Sequence, residues 1–144
     1  MASPAISAFG TLLQVGDGAV SESFTTIAEL RSLKGPSIKA DVIDVTTHNT
    51  ATPFKRFISG LLDGGDVTFD INFIPQDPTH SYSAGLLADM LNRTRRNFQI
   101  VFPDAGTPTW LIPGIITGFD MTSGPTDVLK ASITVKVAGP PTFE

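Results

Sequence analysis

The 144-residue chain contains no cysteine and only two histidines, His48 and His80, and neither histidine lies in a spacing typical of a catalytic or metal site. Without cysteine the chain can form no disulfide, no thiolate nucleophile and no thiolate metal ligand. The turn at residues 63–66 (DGGD) has too few spaced carboxylates for a calcium loop. No set of nucleophile, base and orienting group can be assembled, so the sequence predicts no enzyme, no metal site and no cofactor.

Charged residues and long apolar runs are also scarce. Charged residues make up 17% of the chain, and the formal net charge is -4. Proteins that grip nucleic acid through its phosphates are usually basic, so tight DNA binding is not expected. No window approaches the roughly 18 apolar residues that a membrane helix needs, and residues 1–15 lack a basic leader followed by an apolar run. We therefore expect an unprocessed chain with no membrane partner.

Glycine, proline and apolar side chains are plentiful. Thirteen glycines and eleven prolines, together with many threonines and valines, are typical of short strands separated by turns. An apolar fraction of 41% is enough to build a hydrophobic core. At this length one core usually serves the whole chain. We therefore predict a mainly β protein with residues 1–144 in a single domain.

Two stretches show the strict alternation of apolar and polar residues that a half-buried strand requires. In residues 66–74 the apolar positions are Val67, Phe69, Ile71 and Phe73. Residues 129–137 alternate in the same way. The remaining strands are predicted at residues 9–15, 24–30, 42–45, 98–102 and 110–121, the last with a bend at Pro113-Gly114.

One segment has the period of a helix. Tyr82, Leu86 and Met90 repeat every four residues, which predicts an amphipathic helix over about residues 80–93. The basic run RTRR at 93–96 lies where cations favour the negative end of a helix dipole. A solvated helix end or an inter-subunit ion pair is therefore favoured over DNA contact for these arginines.

The segment from residue 46 to residue 65 has no strand signal and is far longer than an ordinary turn, so it is predicted to be a long loop. It nevertheless carries five large apolar residues, which are Phe54, Phe57, Ile58, Leu61 and Leu62. Two interpretations remain open. Pro53 could start a short helix whose apolar side faces the protein's own core, or the loop could project and bury these side chains on a neighbouring subunit.

These parts follow one another in an order that resembles the lambda-type tail tube proteins of siphophages. Residues 25–44 (TTIAELRSLKGPSIKADVID) combine a Gly-Pro turn with an acidic strand, and residues 65–73 (GDVTFDINF) follow the long loop. After the helix come FQIVFPD at 98–104, PGIIT at 113–117 and ITVKVAGPP at 133–141. Each motif is short, but their order agrees with that family over nearly the whole chain.

The resemblance implies a β-sandwich or barrel-like subunit with one flanking helix, related in fold to the tube protein of type VI secretion systems. It also implies that the additional C-terminal immunoglobulin-like domain of some members is lacking. Such a subunit would be a structural virion protein, assembled in the host cytoplasm into hexameric rings that stack into a non-contractile tail tube for DNA delivery. Its partners would be further copies of itself, the tape-measure protein, and the tail tip or initiator and tail terminator proteins.

The resemblance also suggests roles for two groups of residues. The inter-ring contact loop would consist of Phe54, Lys55, Arg56, Phe57, Ile58 and Leu61. The lumen would be lined by Asp66, Thr68, Asp70 and Asn72. Duplex DNA would pass this polar, partly acidic lining without specific binding, because like charges repel the phosphates. Lys130 and Lys136 are candidates to neutralise part of that charge.

Two other functions are compatible with these patterns. A type VI secretion-like tube subunit would share the fold and the ring but carry protein effectors. A small β-sandwich binding module would stay monomeric and use Trp110, Tyr82 and phenylalanine side chains to contact a ligand such as a carbohydrate. Assembly in solution separates the tube subunits from the binding module.

Overall fold

The computed structural model describes residues 5–49, 51–104 and 106–143. Within these ranges the chain forms strands β1 (Leu12–Gly16), β2 (Phe24–Thr26), β3 (Leu30–Lys34), β4 (Lys39–Asp44), β5 (Phe57–Asp63), β6 (Asp66–Asn72), β7 (Arg95–Val101), β8 (Thr109–Thr122), β9 (Lys130–Val137) and β10 (Thr142–Phe143), with one helix, α1 (Leu86–Leu91). The predicted fold class, mainly β with one flanking helix, is confirmed.

Most of the strands form one antiparallel sheet that folds over on itself. Its order is β2-β1-β7-β8-β9-β6-β3, with β10 beside β8. Residues 109–115 of β8 pair with β7, whereas residues 114–122 pair with β9, so this long strand belongs to both halves. Buried residues of β1 and β7, such as Leu13 and Phe98, join one core cluster with Val67 of β6. The sheet is therefore a two-layered sandwich that turns its corner along β8.

Pro113 and Gly114 lie at this corner, where the sequence predicts a bend. A Cβ atom added to Gly114 would lie only 2.6 Å from Cγ1 of Val135, so only glycine lets β8 approach β9 this closely. The strand continues through the corner, and its register shift follows between Ile116 and Gly118. The local sequence thus allows one long strand to serve two layers.

Alternate residues of β6 and β9 form half of the core cluster. The buried positions of these two strands are Val67, Phe69, Ile71, Ala131, Ile133, Val135 and Val137. They meet in register across the strands, with Phe69 beside Ile133. Full burial of such a side chain stabilises the fold by about 1.5–3 kcal/mol. The alternation predicted for both stretches is confirmed.

The helix is shorter than predicted. It spans only Leu86–Leu91 instead of about residues 80–93, and Tyr82 is exposed. Gly85 immediately precedes it, and a Cβ atom at this position would collide with the backbone of residues 79–81. The chain before the helix is thus wound in tight turns that an α-helix cannot continue.

His80 holds these turns in place. The side chain is fully buried, and both ring nitrogens are hydrogen-bonded to backbone. Nδ1 accepts a bond from the amide of Ile74 at 3.1 Å, so the ring proton lies on Nε2, which donates to the carbonyl of Ala28 at 2.8 Å. His80 therefore ties two loops together, which is a structural role.

The segment predicted as a long loop over residues 46–65 contains a strand. β5 pairs with β4 in a separate two-stranded sheet, and the connection runs only from residue 45 to residue 56. The interpretation of a short helix starting at Pro53 is therefore wrong. A register shift within the pair and Gly60 in the middle of β5 interrupt the strand period, so the sequence alone shows no alternation here. We call residues 39–63 the hairpin.

The strand predicted at residues 24–30 is in fact two short strands. β2 ends at Thr26, and the backbone turns at Glu29, whose φ of 59° lies in the left-handed region. β3 then begins at Leu30 and pairs with β6. The sequence pattern does not predict β3 as a separate strand, because its LRSLK sequence has two charged residues and a register shift near its start.

Candidate assembly surfaces

One face of β3, β6, β9 and the second half of β8 is polar, and we call it the polar face. The residues predicted to line a lumen lie on it, opposite the buried side of β6, and they are Asp66, Thr68, Asp70 and Asn72. Their partners across β9 are, in the same order, Lys136, Thr134, Ser132 and Lys130. The structure thus brings all four candidates onto one continuous surface.

Charges of both signs occupy the polar face. By strand register it carries three lysines and three aspartates, which are Lys34, Lys130, Lys136, Asp66, Asp70 and Asp120. At one end Nζ of Lys136 lies 3.3 Å from Oδ1 of Asp63, and at the other end Nζ of Lys130 lies 2.8 Å from Oδ2 of Asp127. The lysines therefore neutralise part of the negative charge along this face, which is mixed in charge.

The carboxylates at the two ends are held in their charged form. The amide of Gly65 and then the ammonium of Lys136 lower the pKa of Asp63. The hydrogen bond from Lys130 lowers the pKa of Asp127. Both lysines therefore keep an anionic partner at neutral pH, although such exposed pairs contribute little to stability.

A free strand edge bounds the polar face on each side. β3 ends the sheet and pairs with β6 only. Residues 116–122 of β8 pair with β9, but β7 reaches only as far as Ile115, so among the described residues no strand covers their other edge. Unpaired backbone groups along such edges are ready to pair with another chain.

The hairpin leaves a set of large apolar side chains in solvent, namely Val42, Ile43, Phe54, Phe57, Ile58, Leu61 and Leu62. Leu61 is 81% exposed and Phe54 is 75% exposed, while Lys55 and Arg56 beside them are exposed as well. The interpretation in which this segment faces the protein's own core is therefore wrong. An isolated two-stranded hairpin is marginally stable in water, so this apolar surface needs a partner.

A second apolar surface is concave. A groove of about 600 Å³ lies beside β3, between the segment that precedes β1 and the turn from β7 to β8. Its lining includes Phe9, Leu30, Leu33, Phe102 and Trp110. The rings of Phe102 and Phe143 stack edge-on against Trp110, at centroid distances of 5.1 and 4.9 Å. We call this surface the groove.

Tyr82 does not line the groove, so the structure does not bring together the two aromatic residues, Trp110 and Tyr82, that a binding module was expected to use. Tyr82 lies instead in the exposed turns before α1.

In the basic run at 93–96, Arg93 lies exposed at the end of α1, directly after the C-cap residue Asn92, whereas the next two arginines do not belong to the helix end. Arg95 and Arg96 lie in β7, and Nε of Arg96 contacts Oδ1 of Asp89 at 3.1 Å, within the same subunit. Nη1 of Arg96 also donates to the carbonyl of Asp17 at 3.0 Å. Burial raises the pKa of Asp89, and the bond from Arg96 acts against that rise. The pair thus joins α1 to β7 and to the loop after β1.

The described residues contain no cluster of three or more histidine, cysteine or acidic side chains that could hold a metal ion. In the same part of the chain, no helix has the length and apolar character that crossing a bilayer requires.

Several solved structures share this fold, and they come from tails and related particles. The tail of an empty gene transfer agent particle, refined with C6 symmetry, matches with a TM-score of 0.79 at 21% identity, over 97% of this chain and 99% of that one. The baseplate structure of the anti-feeding prophage matches with a TM-score of 0.68 at 14% identity, over 99% and 97%. The SPP1 tail tube matches with a TM-score of 0.64 at 13% identity, over 93% and 76%. These similarities establish a tail-tube-like fold.

Among curated protein sequences none matches the chain significantly. The family profile of the lambda phage tail tube protein, in contrast, matches residues 10–144, which include every described strand. This match decides between the functions that the sequence left open. The chain belongs to the lambda phage tail tube protein family, and it is a structural subunit of a phage-type virion tail and not an enzyme.

Proposed function

We propose that six copies of the chain close into a ring, and that such rings stack into the non-contractile tail tube of a siphophage, through which DNA is delivered. The observation that carries the proposal is the polar face with a free strand edge on each side. The C6 symmetry of the gene transfer agent tail supports the number six.

Ring closure would join the free edge of β3 in one copy to the free edge of β8, residues 116–122, in the next. Both edges carry unpaired amide and carbonyl groups that a new ladder would satisfy. Each contact uses two different surfaces, which is the kind of interface that closes into a ring. Four strands from each of six copies would form a barrel of about 24 strands, and barrels of 16 or more strands enclose a channel.

The polar face would line this channel. Asp66, Thr68, Asp70 and Asn72 would then face the lumen together with Lys130 and Lys136. Proteins bind duplex DNA largely by releasing counterions from its phosphates, which requires cations that are free to pair with phosphate. Because the lysines already lie beside aspartates, DNA would pass without specific binding. The lining would thus be polar and mixed in charge, with Lys130 and Lys136 neutralising part of the acidic charge as the sequence led us to expect.

The hairpin would make the contact between stacked rings. Its predicted contact residues project from the subunit, and they are Phe54, Lys55, Arg56, Phe57, Ile58 and Leu61. One end of a finished stack would present unpartnered hairpins, and the other end would present the surface that receives them. Different proteins would thus cover the two ends, which suits a tail tip or initiator protein and a terminator protein. The tape-measure protein would occupy the lumen before DNA does.

Electron microscopy of the purified chain over a concentration series, with sedimentation of the same samples, tests the proposal. Rings or hollow tubes with a lumen wide enough for duplex DNA are expected. The Leu61→Asp variant should still form rings but should not stack them, because ring closure uses strand edges and not the hairpin. A chain that stays monomeric throughout and binds a carbohydrate instead would overturn the proposal in favour of the binding module.

A further inference from the structure

We infer that opposite charges on the two free strand edges, Lys34 on β3 and Asp120 on β8, determine which edges of two copies pair and in which register. This inference rests on the proposed ring, and it adds the residues that select the contact. Lys34 and Asp120 are exposed, and among the described residues neither forms an ion pair within the subunit. Each of the two charges is therefore available to a second copy of this chain.

The directions of the strands permit the contact. β8, β9, β6 and β3 lie in this order, and each runs antiparallel to the next. β3 therefore runs opposite to β8, so placing the β3 edge of one copy beside the β8 edge of another continues the antiparallel order. Because each copy contributes an even number of strands, the alternation of direction holds at every junction of a ring.

The alternation of faces limits the register of each junction. Lys34 and Asp120 both lie on the polar face, because each pairs with a polar-face residue of the neighbouring strand in its own subunit. This face must stay on one side across the junction, so the possible registers differ by steps of two residues. One register places Lys34 directly opposite Asp120. A shift by two residues in either direction would place Ser32 or Pro36 opposite Asp120, and neither residue carries a charge.

The same register gives the other face of the junction an apolar contact. It places Leu33, the residue before Lys34, opposite Met121, the residue after Asp120. Met121 is 57% exposed in the single subunit, and Leu33 is half-buried. The junction would thus remove apolar surface from water on one face while it joins opposite charges on the other.

The charges also act against the wrong contacts. β3 carries Arg31 and Lys34 and no acidic residue, whereas residues 116–122 of β8 carry Asp120 and no basic residue. Two β3 edges, or two β8 edges, would therefore bring like charges together, which destabilises a strand pair. Free strand edges are otherwise ready to pair with any other edge. The charge difference thus disfavours two-fold dimers and leaves the contact between unlike edges, which closes into a ring.

Reversing each charge separately tests the inference. Lys34→Glu would place two acidic residues at every junction, and Asp120→Lys would place two basic ones. Each variant alone should need at least about a tenfold higher concentration than the wild-type chain to form rings, because an attraction is replaced by a repulsion. Sedimentation and electron microscopy of a concentration series measure this threshold.

Mixing the two variants should restore assembly. In a ring of six, copies of Lys34→Glu and Asp120→Lys can alternate, and every junction then joins opposite charges. An equimolar mixture should therefore form rings at the wild-type concentration. With one variant isotope-labelled, native mass spectrometry should show equal numbers of the two variants in each ring.

Further controls separate charge from folding. The double variant Lys34→Glu/Asp120→Lys again has opposite charges at each junction and should form rings by itself. Asp104→Lys makes a like exchange at an exposed residue in the turn after β7, outside both edges, and should assemble normally. In about 1 M salt, where the Debye length falls to about 3 Å, the defect of each single variant should shrink. Denaturant unfolding of the monomers should show that all variants keep the wild-type fold.

Two results would overturn the inference and leave the tube proposal standing. One is that either single variant forms rings at the wild-type concentration. The other is that the mixture assembles no better than its components. Failure of the wild-type chain to form rings or tubes would count against the tube itself.

Discussion

The β6–β9 pair and the hairpin contain the same kinds of side chain but lie in opposite environments. Phe69 pairs with Ile133 and both are buried, whereas Ile43 pairs just as directly with Ile58 and both remain largely exposed. Strand pairing alone therefore does not bury a side chain. Burial requires a second layer, and of these two strand pairs only the β6–β9 pair has one among the described residues. The core is thus formed within one subunit, while the large apolar side chains of the hairpin stay exposed.

The largest effect is expected from a cavity in the core. Replacing Phe69 with alanine should lower the free energy of unfolding by about 3–5 kcal/mol, because the neighbouring side chains cannot fill the space. Denaturant unfolding of the monomer measures the loss. The matched hairpin variant Phe57→Ala should change it by less than about 0.5 kcal/mol, since its side chain is largely exposed. Equal losses in the two variants would show that the hairpin belongs to the core.

Assembly should respond to the hairpin more than to other exposed positions. Ile58→Asp should raise the concentration needed for tube formation at least about tenfold, which corresponds to about 1.4 kcal/mol. The stability of the monomer should stay the same. Val20→Asp makes a similar exchange at an exposed residue outside the hairpin and is the control. If light scattering shows tubes of Ile58→Asp at the wild-type concentration, the contact lies elsewhere.

Removal of Arg96 tests how much the polar contact between α1 and β7 contributes to the free energy of unfolding. Arg96→Ala should lower the free energy of unfolding by about 1–3 kcal/mol at neutral pH, because the carboxylate of Asp89 loses its bonded partner.

The pH dependence of this loss has a definite sign. Burial raises the pKa of Asp89 above its ordinary value of 3.8, so the folded state keeps the proton to higher pH than the unfolded state does. The folded state therefore loses stability as the pH rises from 3.8 through the raised pKa. Without Arg96 the pKa of Asp89 rises further. The difference in unfolding free energy between the wild-type chain and Arg96→Ala should therefore shrink as the pH falls toward 3.8. Arg96→Ala/Asp89→Asn should lack this pH dependence. If Arg96→Ala loses the same unfolding free energy at every pH, the loss comes from packing and not from the charge of Asp89.

The smallest effect on the subunit itself is expected on the polar face. The double variant Asp66→Lys/Asp70→Lys should leave tubes intact and cost the subunit about 1 kcal/mol or less, because both side chains are at least partly exposed, although the lysine introduced at position 66 would face Lys136 across the strands. It replaces two negative charges with two positive ones, so the tubes should bind duplex DNA in a salt-dependent way and slow its passage. Asp66→Asn/Asp70→Asn is the neutral control. Unchanged DNA binding and infection yield with the lysine variant would place this face outside the lumen.

The sequence predicted most of the fold where one period repeats without interruption. Strands β6 and β9 follow from alternation alone, and the corner in β8 follows from Pro113 and Gly114. β3 and β5 were not identified, because register shifts and Gly60 break the alternation. The helix was predicted too long, since nothing in the spacing of Tyr82 and Leu86 shows the hydrogen bonds of His80 that hold the preceding turns.

The candidate surfaces were predicted in part. The four residues of β6 assigned to a lumen share one face, because strand geometry places every second side chain on the same side. The lysines beside them could be aligned only once the register between β6 and β9 was known. The groove could not be predicted at all, because Phe9, Leu30 and Trp110 come from three distant segments that meet only in the folded sandwich.

The sequence by itself determined that this chain is a mainly β, cysteine-free subunit with one strongly alternating core, because composition and side-chain period are local properties. Its order of motifs already resembled the tail tube family. Only the tertiary structure decided which apolar strand is core and which is surface, since that depends on whether a second layer packs against it. It also decided that Arg96 bonds to the carbonyl of Asp17 within the subunit and that lysines of β9 lie beside aspartates of β6, because these contacts join segments far apart in the chain.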